Sequence, residues 1–226
     1  MARTIAGNIE EVRKRIAEAA SSVGRSPEDV ILVAVTKTRT PGEIRQAAEA
    51  GLKAFGENRV QEAKSKYRLL PDDLVWHMVG HLQTNKAKDA VEIFQCIHSV
   101  DSVHLAEELE RRCSAARKEM DVLLEVNVSA EESKFGLKPD AAEEVIRRVV
   151  ELPHLRLKGL MTMAPLADNP ETVRPVFRAL RELKDQLNET GLCQLTDLSM
   201  GMTQDYEVAI QEGATMVRIG SAIFNV

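Results

Sequence analysis

Residues 30–38 read Val30-Ile31-Leu32-Val33-Ala34-Val35-Thr36-Lys37-Thr38. Six apolar residues in a row, half of them β-branched Val and one Ile, show no polar alternation. That is the pattern of a strand covered on both faces, as in a parallel sheet flanked by helices. Upstream, Ile5, Ile9, Val12, Ile16, Ala19, Ala20 and Val23 recur at steps of three or four. They share one face of a helix that Gly24 is placed to end. Downstream the chain alternates. Strands are expected at 54–57, 75–80, 96–100, 122–128, 155–163, 195–200 and 216–224. Helices are expected at 41–50, 58–70 and 84–92, after Ser102, from Pro139, after Asn169-Pro170 and at 204–211. Pro175 falls in the early turns of the sixth of these helices and leaves its start open.

Eight strands separated by seven helices imply parallel pairing and right-handed crossovers. An α/β chain of this kind closes into a (β/α)8 TIM barrel of about 250 residues. With 226 residues the chain is slightly short, and the last expected strand ends two residues from Val226. The N-terminal helix is therefore expected to complete the helical ring over the seam between the first and last strands. An open doubly wound sheet is the alternative, but eight strands divide poorly between two smaller folds. One domain, 1–226, is expected, without linker, repeat or low-complexity stretch.

Composition narrows the class. A net charge of −5 argues against binding nucleic acid through its phosphates. No apolar run approaches the roughly 20 residues of a membrane helix, and Arg3, Glu10, Glu11 and Arg13 interrupt any signal-peptide core. Three cysteines, Cys96, Cys113 and Cys193, lie far apart with no CxxC pair, which suggests reduced thiols and a cytoplasmic setting.

In such a barrel the chemistry sits at the C-terminal ends of the strands. Lys37 ends an interior strand, so its stem is expected in the barrel mouth and its ammonium partly desolvated. Desolvation favours the free amine, which attacks carbonyls to form a Schiff base. The competing reading is a lysine that simply emerges into solvent. Ser199-Met200-Gly201 and Gly220-Ser221 bring small residues, hydroxyls and approachable amides to the ends of strands seven and eight, where barrel enzymes commonly bind phosphate. A glycine-rich turn is the alternative there. A lysine beside a phosphate pocket fits pyridoxal 5′-phosphate (PLP), and Arg218 then stands where it could meet the ring nitrogen. A permanently charged arginine at that nitrogen keeps it unprotonated, which makes the ring a poor electron sink.

Other features carry less. His77 and His81 are four apart, but the segment reads as a strand and lacks the glutamate of HExxH; no metal site is expected. Asn127-Val-Ser129 and Asn188-Glu-Thr190 match the glycosylation pattern but mean little without a secretory route. Lys64, Lys66 and Arg68 read as a solvated helix face. Lys86 and Lys88, near a helix start, are expected in solvent.

The segments Val33-Ala-Val-Thr-Lys-Thr38, Phe55-Gly-Glu-Asn-Arg-Val-Gln-Glu62, Trp76-His-Met-Val-Gly-His-Leu-Gln-Thr-Asn-Lys86, Leu198-Ser-Met-Gly-Met202 and Val217-Arg-Ile-Gly-Ser-Ala-Ile-Phe224 resemble the pyridoxal phosphate homeostasis protein family. The resemblance covers nearly the whole chain. It implies a PLP fold type III barrel like the N-terminal domain of alanine racemase, with PLP as an internal aldimine on Lys37. It implies phosphate-binding positions at Ser199, Gly220 and Ser221, with Gly201 in the same motif, Arg218 facing the pyridine nitrogen and Asn58 near the ring. The implied role is PLP buffering or delivery, with PLP-requiring apoenzymes as recipients, no catalytic residue set, and a monomer or weak dimer. A weak amino-acid racemase is the rival. Racemisation needs a proton donor on each face of the substrate carbon. In alanine racemases the second donor is a tyrosine of a separate C-terminal β-domain, and this sequence ends at Val226. Its two tyrosines are Tyr67, expected late in a helix away from the mouth, and Tyr206, at the start of the helix after strand seven.

Overall fold

A computed structural model describes residues 4–129, 131 and 135–226. The elements run α1 (Ile5–Ser21), β1 (Ile31–Val35), α2 (Pro41–Glu49), β2 (Ala54–Glu57), α3 (Val60–Lys66), β3 (Val75–Met78), α4 (Ala87–Ile93), β4 (Cys96–Val100) and α5 (Val103–Ala116). They continue with β5 (Met120–Glu125), α6 (Ala142–Val149), β6 (Leu155–Met161), α7 (Arg174–Glu189), β7 (Asp197–Ser199), α8 (Tyr206–Gln211), β8 (Met216–Ile219) and α9 (Ser221–Phe224). The eight strands form a closed barrel in sequence order, and β1 pairs in parallel with both β2 and β8. This is the expected TIM barrel.

Side chains sort by strand alternation. In β1, Ala34 joins the large apolar layer between barrel and helices, while Val33 belongs to a small interior cluster with Val79 and Met216. Cys96, Leu123 and Met161 form a second interior cluster. Ile5, Ile9, Val12 and Ile16 of α1 are buried against the main layer. The side-chain amide of Asn8 donates to Ile223 O at 2.9 Å, and Arg25 donates to Ile210 O at 2.8 Å. Helix α1 therefore covers the seam between β1 and β8.

Several boundaries differ from expectation, most of them by shorter elements, and three bear on the site or the helix starts. Strand β8 stops at Ile219; from Gly220 the chain turns into the single-turn α9, where Ile223 N and Phe224 N both donate to Gly220 O at 3.0 Å. Seven residues thus follow the last strand. Strand β5 runs from Met120 to Glu125, because Asn127 N is taken by Leu137 O at 2.8 Å rather than by the sheet. Pro175 causes no strain: a 3-10 turn from Pro170 to Val173 precedes α7, which puts Pro175 in the first turn, where the missing N–H has no intrahelical partner to lose.

Candidate functional site

The register around β1 decides what meets Lys37. Val35 pairs with Gly56 of β2, and Val33 and Ala34 pair with Arg218 and Ile219 of β8. Lys37, two residues past β1, therefore stands between Glu57-Asn58 on one side and Gly220-Ser221 on the other. A cleft of about 430 Å³ opens there, lined by Lys37, Asn58, Thr203, Arg218, Gly220 and Ser221 among others. That volume suits a small cofactor.

Lys37 is exposed, not partly desolvated as expected; it reaches the cleft from the rim. The loop that carries it is nonetheless tightly held. Thr38 has φ 64°, a left-handed conformation that a β-branched residue avoids. Glu62 accepts from Thr38 N at 3.2 Å. Beneath the loop, Lys66 Nζ donates to Thr36 O at 2.9 Å and Arg39 O at 3.3 Å, bracketing Lys37. Lys66 also pairs with Glu57 at 2.6 Å, and Thr36 Oγ1 donates to the same carboxylate at 2.5 Å. Burial raises the Glu57 pKa, against the pull of Lys66 and Thr36. Lys66 is thus no part of a solvated face. It shares the buried side of α3 with Val60 and Ala63, at steps of three. That spacing was the available signal.

Arg218 is nearly fully buried. Its guanidinium donates to Ser199 Oγ at 2.6 Å and to Thr162 O at 2.9 Å, which fixes its plane at the cleft floor. Burial lowers its pKa to about 10, opposed by Glu125 and Asp205, so it stays charged at neutral pH. Ser199, expected on the phosphate side, is fully buried and lies outside the cleft lining. It braces Arg218 and also meets His98 Nδ1 at 2.8 Å. The hydroxyl at the mouth comes instead from Thr203, 3.1 Å from Ser221 Oγ. No pattern but proximity to the Ser-Met-Gly segment marked Thr203 in the sequence. Gly201 also stays out of the cleft lining. It has φ +92°, and a Cβ there would meet Ala209 Cβ at 2.5 Å, so it lets the loop turn tightly under α8. Its carbonyl accepts from Arg218 N at 3.0 Å.

The two histidines of the HxxxH pair point apart. His77 meets His98 inside the barrel at 2.8 Å, whereas His81 stacks on Phe135 at 3.8 Å and lies 3.2 Å from Asp101. Tyr67 bonds Glu92 at 2.8 Å, outside the barrel. Tyr206 is buried under Arg15 of α1, 5.5 Å from its ring, so neither tyrosine lines the cleft. No described helix is long and apolar enough to cross a membrane.

An amine, a fixed guanidinium and paired hydroxyls at the mouth of a parallel barrel define a fold type shared with amino-acid racemases. Residues 6–226 match the family model described as alanine racemase, N-terminal domain. A solved alanine racemase of Clostridium difficile 630 overlays with a TM-score of 0.71 at 15% identity, covering 95% of this chain and 56% of that one, a likeness of fold alone. Relatives narrow the class. The pyridoxal phosphate homeostasis protein of Aquifex aeolicus is 46% identical over 96% of this chain and 95% of its own length. PipY of Synechococcus elongatus PCC7942, solved with PLP bound, is 38% identical with a TM-score of 0.82, over 92% of this chain and 99% of that one. The chain belongs to the pyridoxal phosphate homeostasis protein family.

Proposed function

We propose that this chain binds PLP in the β1/β7/β8 cleft, held covalently through Lys37, and that it stores and hands over the cofactor without turning over a substrate. The observation that carries this is the convergence of Lys37, Arg218, Thr203 and Ser221 on one cleft. The donor set fits. The hydroxyls of Thr203 and Ser221 suit a phosphate. Gly220 keeps the ends of β8 and β1 close, since a Cβ there would lie 3.2 Å from Val35 O. Asn58 Oδ1 is buried without a partner beside the cleft. PLP, when bound, supplies an aldehyde on an electron-withdrawing ring.

The chain's own residues support holding over turnover. Arg218 is a donor that stays charged, so it hydrogen-bonds a ring nitrogen without lending it a proton. Ser199 and Thr162 keep it in that orientation. Lys37 offers a proton carrier on one face only, while Tyr67 and Tyr206 lie outside the cleft lining. Lys37 at the rim is open to solvent, which lowers the exclusion of water that carbanion chemistry needs and eases exchange with PLP-requiring apoenzymes. The free thiols of Cys96, Cys113 and Cys193 suit a cytoplasmic setting.

Borohydride treatment of PLP-loaded protein should fix a pyridoxyl group on Lys37, found by peptide mapping, and Lys37→Ala should lose both label and near-visible absorption. A label on another lysine would overturn the site. Single-enantiomer amino acids in deuterated water should show no sustained solvent incorporation; multiple turnovers would establish the racemase reading instead. Transfer to an apoenzyme faster than spontaneous PLP release is the expected sign of direct handover.

A further inference from the structure

We propose that His77, Cys96 and His98 form a binding site for a zinc-class cation inside the barrel, at the end remote from the cleft. Parallel register builds the cluster. His77 of β3 pairs with Cys96 of β4, and His98 lies two residues further along β4 on the same face. The ligand atoms of all three lie within 4.8 Å of one another. His77 Nδ1 and His98 Nε2 are 2.8 Å apart, so a shared proton occupies the space between two nitrogens that a small opening would present to a metal. A thiol with two imidazoles selects zinc-like ions over magnesium or calcium. The outer support is present, because His98 Nδ1 meets Ser199 Oγ at 2.8 Å, the kind of contact that orients a ligating imidazole. Asp121, the register partner of Cys96 on β5, carries the nearest strand carboxylate, which pairs with Arg156 at 2.6 Å. His77 and Cys96 each keep 5% exposure, and Cys96 is the first residue of β4, so the entry lies where the strands begin.

Coordination is balanced without redox. The Cys96 thiol gives one proton to solvent, and its sulfur lone pair goes to the metal. The proton between the imidazoles shifts to an outer ring nitrogen, so that His98 carries its proton on Nδ1 and His77 on Nε2 and both facing nitrogens are free. Three protein ligands leave a fourth position for water. The site uses none of the cleft residues and does not rest on the PLP reading.

The test is Co(II) titration of full-length, chelator-treated protein. Saturable binding with a thiolate-to-cobalt charge-transfer band, displaced by Zn(II), is expected, with one proton released per metal in weakly buffered dye solution. Cys96→Ser should abolish the band, His77→Gln should weaken binding, and Ser199→Ala should weaken it roughly tenfold. Absence of saturable binding or proton release in the unmodified protein, which no folding defect can explain, overturns the site. So does a band that persists in Cys96→Ser, because Cys113 or Cys193 would then be its source.

Discussion

The pair Glu57–Lys66 shows how one buried contact serves a distant atom. Both side chains are almost fully removed from water, and Lys66 is the strut under the loop that presents Lys37. Lys66→Met leaves a buried carboxylate without its cation, a change that typically costs about 3–5 kcal/mol. Urea unfolding should show that loss, and PLP loading at Lys37 should slow in the variant. Glu125 offers a pH test. Burial, with Asp101 adding to it and Arg218 opposing, raises its pKa from 4.5 to about 7. The folded state therefore keeps a proton that the unfolded chain has lost. The effect is nil below the unfolded pKa; stability then falls as pH rises through about 7, by about 3 kcal/mol in all. His77, which burial holds neutral with a pKa of about 4, works in the opposite direction between about pH 4 and 6.5. The informative quantity is thus the difference between the unmodified protein and Glu125→Gln, whose urea midpoint should decline less from pH 5 to 7.5.

At the scale of elements, local signals were legible where chain chemistry alone sets the boundary. Pro41 opens α2 in its first turn, Ser102 accepts from Leu105 N as an N-cap, and Gly24 ends the region after α1 with φ +71°. They failed where apolar content continues past a change of backbone. Residues 220–224 read as more strand because Ala222, Ile223 and Phe224 are apolar, yet one helical turn buries Ile223 and Phe224 as well as a strand would. Site roles split in the same way. That Lys37, Arg218, Gly220 and Ser221 line one cleft followed from their place at strand ends. The inward relay behind Arg218 did not: Ser199 stands on the neighbouring strand β7, but it meets His98 of β4 only across the closed barrel. Gly201→Ala tests the turn under α8. Its Cβ has no room, and Arg218 N relies on the Gly201 carbonyl, so PLP affinity should drop together with thermal stability, read by fluorescence titration and melting.

For the whole molecule, α1 is the closing piece, joining the strands that deliver Lys37 and Arg218. Ile9, about 1% exposed, anchors it. Ile9→Ala should cost about 2–5 kcal/mol and should also hasten PLP dissociation measured by dilution, although Ile9 touches nothing in the cleft. A variant with the stability loss but unchanged dissociation would show that the seam and the cleft are mechanically separate. The closed ring was legible from the count of alternating elements. The interior of the ring was not, since period-two patterning says which residues share a face and not which of them meet across the lumen.

The polar chain Arg218–Ser199–His98–His77 runs from the cleft floor through the barrel to the starts of β3 and β4. Occupants at its two ends would share one set of hydrogen bonds. Whatever factor an ion at the lower end imposes on cofactor affinity at the upper end, the cofactor must return on the ion. With both ends occupied, such a barrel would act as a two-port device, its response at either port readable from the other.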